Sequence, residues 1–221
     1  MKFKGILFDL DGTLVDSNDA VDRAWMTWCK RNGIDFAIAS EVYHGRPAAE
    51  TIRQLMQGCS EHKVAEEIAW LQHQESTDVE GVVTLPGTIE FLNELNRNSV
   101  PWAIVTSGTL PVAKARIDAA GIPRPELLIT PELVTKGKPD PEPYLLGAAG
   151  LGLMAEECVV FEDAPSGLTA GICAGARTVA VLSQFSKQAL PEADRYIENL
   201  SSLDVELCEE GYSLVFSNDK A

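Results

Sequence analysis

Apolar residues along this chain fall into two regimes. At 5–8, 102–105, 158–161 and 178–181 they form short unbroken runs, as strands buried on both faces require. Elsewhere they recur at helical spacing. Val21, Trp25, Trp28 and Cys29 mark a helix over about 18–32, closed by Gly33. Ala48, Ile52, Leu55 and Met56 mark a second helix, opened at Pro47 and ended before Gly58. Val64, Ile68 and Leu71 mark a third, from Ser60 to about Thr77. Nothing between 17 and 77 reads as a strand, and Trp25, Trp28 and Trp70 are expected to form a small helical core rather than a ligand box.

Beyond that point strand and helix alternate. Pro86-Gly87 opens a helix carrying Ile89, Leu92 and Leu95, and further helices are expected over about 111–120, 141–149 and 166–174. The strand runs named above, with a short one at 127–129, lie between them. This rhythm predicts a parallel, doubly wound sheet. Tyr196-Ile197 is expected to add an edge strand, and 212–216 to pair in a terminal hairpin. The fold class is therefore α/β, and its core is discontinuous. Residues 1–15 and 83–221 would build the sheet domain, with 16–82 inserted as a helical unit over one edge of it.

Charge narrows the partners. A formal net charge of −15 argues against a nucleic-acid backbone or an anionic membrane surface, both of which need a basic face. A small anionic substrate stays compatible, because a local cation dominates its own site. Five cysteines, scattered and without a C-x-x-C pair, read as reduced thiols. The apolar run after Lys2 and Lys4 is too short for a secretory signal, and no stretch approaches a membrane span. The expectation is a cytoplasmic protein, monomeric by default because no long exposed apolar stripe is left over.

Chemistry concentrates at Asp9-Leu10-Asp11-Gly12-Thr13, directly after the first apolar run. The i, i+2 spacing puts both carboxylates on one side of an extended chain, at the carboxyl edge where open α/β sheets bind ligands. Such a pair either receives a hard divalent ion such as Mg²⁺ or is a pair of solvated turn acids. Three further stretches carry polar groups at strand ends or turns. Thr106-Ser107-Gly108 offers hydroxyls and amide N–H groups to an anion, but is also an ordinary helix entry. Lys136-Gly137-Lys138-Pro139 offers a cation beside a rigid turn, or two solvated lysines. Glu162-Asp163 supplies acids before a helix, where an aspartate equally serves as a cap.

Phe8 to Ser17 (FDLDGTLVDS) resembles the first motif of the haloacid dehalogenase superfamily of phosphohydrolases. The other three stretches follow in that family's order. The resemblance spans nearly the whole chain, and implies a Rossmann-like doubly wound core with an α-helical cap inserted after the first motif. It implies Asp9 as the nucleophile that forms an aspartyl-phosphate, and Asp11 as general acid and base. Thr106 and Lys138 would hold phosphoryl oxygens, with Lys136 the second choice for the lysine. Mg²⁺ would be bound by Asp9, the Asp11 carbonyl and Asp163, with Glu162 through water or behind them.

An acid two residues after the nucleophile argues against a dehalogenase. The cap is expected to select substrate, with Gly45 and Arg46 between two cap helices and Ser107 beside the phosphate as further contacts. The resemblance is greatest to phosphatases of small sugar or polyol phosphates. The alternatives are a phosphomutase of the β-phosphoglucomutase type and a catalytically silent sugar-phosphate-binding protein.

Overall fold

The computed structural model describes residues 1–43 and 47–216. Its central sheet contains β2 (Gly5–Phe8), β5 (Trp102–Val105), β6 (Leu128–Ile129), β7 (Cys158–Glu162), β8 (Arg177–Val181) and β9 (Arg195–Ile197). They pair in the order β6-β5-β2-β7-β8-β9, and every pairing is parallel. From β2 the chain runs out to β5 and β6 on one side, then crosses back to β7 on the other. That reversal opens a crevice beyond the carboxyl ends of β2, β5 and β7, the place where doubly wound sheets take ligands.

Why these runs became central strands follows from the period of two. Ile6 and Phe8 face one side with Ile104 and Phe161, against α5 (Thr88–Arg97) and α6 (Leu110–Ala120). Leu7, Val105 and Val160 face the other, against α7 (Glu142–Gly150) and α8 (Pro165–Cys173). Both faces are covered, so apolar residues at consecutive positions cost nothing in exposure. Phe8 anchors the first layer, in ring contact with Phe91, Trp102 and Phe161. The result is a Rossmann-like α/β core.

Between β3 (Val15–Asp16) and β4 (Val83–Thr84) the described residues make four helices: α1 (Asn18–Asn32), α2 (Phe36–Ser40), α3 (Ala48–Leu55) and α4 (Glu61–Thr77). The two short strands pair antiparallel, Val15 opposite Thr84, so entry and exit are tied together. The helices bury a cluster of their own, which includes Trp25, Trp28, Ile52 and Leu71. Gly33 ends α1 in the left-handed region, and the Ser60 side chain accepts from Lys63 N at the start of α4.

Two features differ from the sequence pattern. The short helix α2 was not expected: at five residues it is too short to show a helical period, and its start is fixed by the Asp35 side chain accepting from Ala37 N. The terminal hairpin, β10 (Leu203–Cys208) with β11 (Gly211–Phe216), also captures β1 (Lys2–Phe3) in a separate antiparallel sheet. Two residues are too few for a strand signal in the sequence. Among the described residues no helix is long and apolar enough to cross a membrane.

Candidate active site

Asp9 is the first residue beyond β2, and its N–H extends the ladder by donating to Phe161 O at 2.9 Å. Its carboxylate therefore emerges at the carboxyl edge between the ends of β5 and β7. There it meets Lys138, which is 4% exposed. The Lys138 ammonium donates to Asp9 Oδ1 at 2.6 Å, Glu162 Oε1 at 2.7 Å and Val105 O at 2.8 Å. All three donors of the ammonium are used. Tyr144 lies beneath, with its ring centroid 4.9 Å from the Lys138 nitrogen and its hydroxyl donating to Glu162 Oε1 at 2.9 Å.

Glu162 and Asp163 are neighbours with different surroundings. Glu162 Oε2 accepts from the backbone N–H groups of Asp163 and Ala164, both at 3.1 Å, so each of its oxygens is engaged twice. Asp163 Oδ1 accepts from Thr13 Oγ1 at 3.3 Å. Gly12 makes this approach possible. It sits at φ +84°, and a Cβ there would collide with the Asp163 carboxylate.

One ligand oxygen from each of Asp9, Glu162 and Asp163 lies within 4.8 Å of the others, and all three residues are buried. Burial pushes the Asp9 carboxyl up to about 7, against the pull of Lys138 and with help from the Glu162 and Asp11 charges. Burial, with Glu162 and Asp9 beside it, drives Asp163 well above the usual carboxylate range. Lys138 goes the other way: burial disfavours its charge, yet Asp9 and Glu162 hold it above its ordinary value. One ammonium does not neutralise three carboxylates, and the surplus matches a hard divalent cation with oxygen ligands.

Asp11 points elsewhere. Its Oδ1 accepts from Ser17 Oγ at 2.7 Å, and its Oδ2 is paired with Arg116 at 2.8 Å. Its carboxylate is thus outside the three-acid group. Thr106 is buried just past β5, its Oγ1 accepting from Gly108 N at 3.0 Å, and with Ser107 it lines the same crevice. The opposite wall comes from the helical segment, with Val21 and Trp25 of α1, Glu75 of α4, and Tyr43 from the loop after α2. Among the described residues lining the crevice, five are carboxylates (Asp9, Asp11, Glu75, Glu162, Asp163) and two are cations (Arg116, Lys138).

Residues 3–175 match the model of the haloacid dehalogenase-like hydrolase family. The chain belongs to this family. It is 47% identical over 205 residues to hexitol phosphatase A of Escherichia coli K12, covering 93% of this chain and 95% of that protein. It is 34% identical over 222 residues to glycerol-1-phosphate phosphohydrolase 1 of Saccharomyces cerevisiae, covering 93% and 86%. Both relatives are named for the hydrolysis of a phosphate ester. In fold it is similar to β-phosphoglucomutase from Clostridium difficile, with a TM-score of 0.81 over 91% of this chain and 93% of that one, at 20% identity.

This hydrolase brings Asp9, Asp11, Thr106, Ser107, Lys138, Glu162 and Asp163 to one crevice. Lys136 is at the surface instead, 3.5 Å from Asp140. Gly45 and Arg46 lie outside the described residues. Sequence reasoning missed Ser17, Glu75, Arg116 and Tyr144 as parts of the site. It also read Trp25 as core alone, whereas its ring is both buried and part of the crevice wall, stacked on Tyr43 at 4.9 Å.

Proposed function

We propose that this hydrolase is a Mg²⁺-dependent phosphatase of small sugar or polyol phosphates, working through an aspartyl-phosphate. Two things support it above all. Asp9 sits at the head of three buried carboxylates around Lys138, and 93% of the chain aligns with a hexitol phosphatase at 47% identity.

Uncatalysed phosphate monoesters hydrolyse so slowly that up to ~10²¹-fold acceleration is called for, supplied mainly by positioning and charge. In our reading an Asp9 carboxylate oxygen attacks phosphorus as the ester P–O bond breaks. The leaving oxygen takes the proton from Asp11 and departs as the alcohol. Water then attacks the same phosphorus and gives its proton to Asp11. Inorganic phosphate leaves, and the Asp9 carboxylate is restored.

Thr106 and Ser107 hold phosphoryl oxygens, and Lys138, its three donors held by this chain, attracts the phosphoryl group as a point charge. Asp9 and Asp163, with the Asp11 carbonyl, would hold Mg²⁺, which when bound supplies positive charge for the nucleophile and phosphate. Glu162 has both oxygens filled by donors from this chain and acts behind them, fixing Lys138.

Residues 16–82 serve as the cap that covers the crevice and selects the alcohol. The crevice wall contributed by α1 supports this: Trp25 and Val21 present apolar surface to a carbon chain.

The test is phosphate release from a panel of hexose, hexitol and glycerol phosphates, with Mg²⁺ or EDTA, beside Asp9→Asn. Release that needs Mg²⁺ and vanishes in Asp9→Asn is expected. Undiminished release by Asp9→Asn would overturn the nucleophile. Conversion of β-glucose 1-phosphate to glucose 6-phosphate without net phosphate would make the protein a mutase.

A further inference from the structure

Helix α4 carries a buried acid, Glu67, and a second, Glu75, whose side chain is 11% exposed, and the two have different partners. Glu67 is satisfied inside the helical segment: Lys63 and Asn32 donate to it at 2.6 and 2.9 Å, and Arg31 pairs with it at 3.1 Å. Glu75, two turns on, leaves that cluster and crosses to the core, where its Oε1 is 3.2 Å from Arg116 Nη2. Arg116 belongs to α6 and is 5% exposed. Its Nη1 is 2.8 Å from Asp11 Oδ2. One buried guanidinium thus joins three pieces of chain: the loop after β2, helix α6 and helix α4.

The fork geometry matters. A guanidinium can donate to two acceptors at fixed angles from a single rigid plane, which an ammonium cannot. With both carboxylates in place it is held above its ordinary pKa, although burial pulls the other way. Without Glu75, the guanidinium would lose the contact that crosses to α4. Without Arg116, Asp11 would keep only the Ser17 hydroxyl, and two like charges would face each other. A carboxylate held by one hydroxyl can rotate.

We propose that Arg116 is a positioning residue that aims the Asp11 carboxylate and makes that aim depend on α4 through Glu75. The inference rests on the reading of Asp11 as the group that handles the proton. It adds that this group is competent when α4 is seated against α6, so that proton transfer is coupled to the seating of the helical segment over the crevice.

The leaving group separates this role from general damage to the site. A hexitol phosphate leaves as a strong base and needs the Asp11 proton, whereas p-nitrophenolate is a weak base and does not. For Arg116→Ala we expect kcat on hexitol phosphate to fall about 100-fold, within the range of general acid–base catalysis, with KM changed less than about threefold. With p-nitrophenyl phosphate the first turnover should be spared while hydrolysis of the aspartyl-phosphate slows. A burst of p-nitrophenolate approaching about one equivalent per site should then appear. Arg116→Lys, which keeps one ion pair but not the fork, should recover part of the kcat.

Glu75→Gln alone should lower kcat about fivefold, and adding it to Arg116→Ala should cost nothing further, because both act on one path. A loss in the double variant equal to the product of the single losses would overturn the link to α4. Equal loss of the first turnover on both substrates, or a change in KM alone, would overturn the positioning role. Asp11→Ala is run in parallel. If it turned over hexitol phosphate normally, the reading of Asp11 itself would fall. If it were inactive while Arg116→Ala stayed fully active, this inference alone would fall.

Discussion

Raise the pH of this protein from about 4 to about 7.5 in EDTA, and the share of stability that Asp9 supplies should fall. The reason is in the acid surplus behind Asp9. Burial pushes the Asp9 carboxyl up to about 7, from an ordinary value near ~3.9 in the unfolded chain. Between those two values the unfolded chain has released the proton and the folded protein still holds it. Stability falls with rising pH wherever the folded state binds more protons. Below about 4 both states are protonated, and above about 7 neither is, so the loss is confined to that window. Each pH unit inside it is worth about 1.4 kcal/mol per group, so Asp9 alone accounts for up to about 4 kcal/mol. Asp163, raised by burial and by Glu162, adds in the same direction.

Urea denaturation at half-unit steps of pH in EDTA measures this. Asp9→Asn, which cannot titrate, isolates the Asp9 share from the protein's many other acids. The wild type should lose stability relative to Asp9→Asn across the window. Saturating Mg²⁺ should offset part of the fall, since a cation bound only by the folded state at 100 times its dissociation constant returns about 2.7 kcal/mol. A wild type that instead gained on Asp9→Asn as pH rose would refute the reasoning. It would mean that the Lys138 ammonium, 2.6 Å from Asp9, outweighs burial and the neighbouring carboxylates.

Two substitutions probe the support around Lys138. Gly167→Ala lies in α8, where alanine ordinarily stabilises a helix by about 1 kcal/mol. Here the new Cβ would overlap the Glu162 carboxylate, so thermal denaturation should show a loss of about 1–3 kcal/mol and kcat should drop more than about tenfold by displacing Lys138. Tyr144→Phe removes one donor from Glu162 and leaves its Lys138 and backbone contacts. Urea denaturation should register about 1–3 kcal/mol, with kcat reduced less than about tenfold because the lysine keeps its partners. An unchanged midpoint would show that the hydroxyl carries no strength in that pocket.

The sheet and the acids at its edge were readable because each announces itself over a few consecutive residues. A strand covered on both faces needs an unbroken apolar run, and β2, β5 and β7 have one. Asp9 and Asp11 follow such a run directly, Thr106 follows another, and Glu162-Asp163 close a third. Lys138 has no strand to mark it and was identified through the resemblance and its neighbour Pro139.

Arg116 and Glu75 were missed for a different reason, though both left a trace. Arg116 is one turn on from Val112 and Ala113 and next to Ile117, so it lies on the buried face of α6. Glu75 follows Leu71 by one turn on the stripe that also holds Val64. A charge on an apolar face is costly unless it is paired, so each position called for an opposite charge arriving from another element. What the sequence does not carry is which element, because the partner is fixed by how α4 lies against α6. Glu67 lies on that same stripe and finds its cations within the helical segment, so the pattern alone does not separate an acid that holds this segment together from one that reaches the crevice. Packing decides it, and packing gives Glu75 the arginine that also holds Asp11.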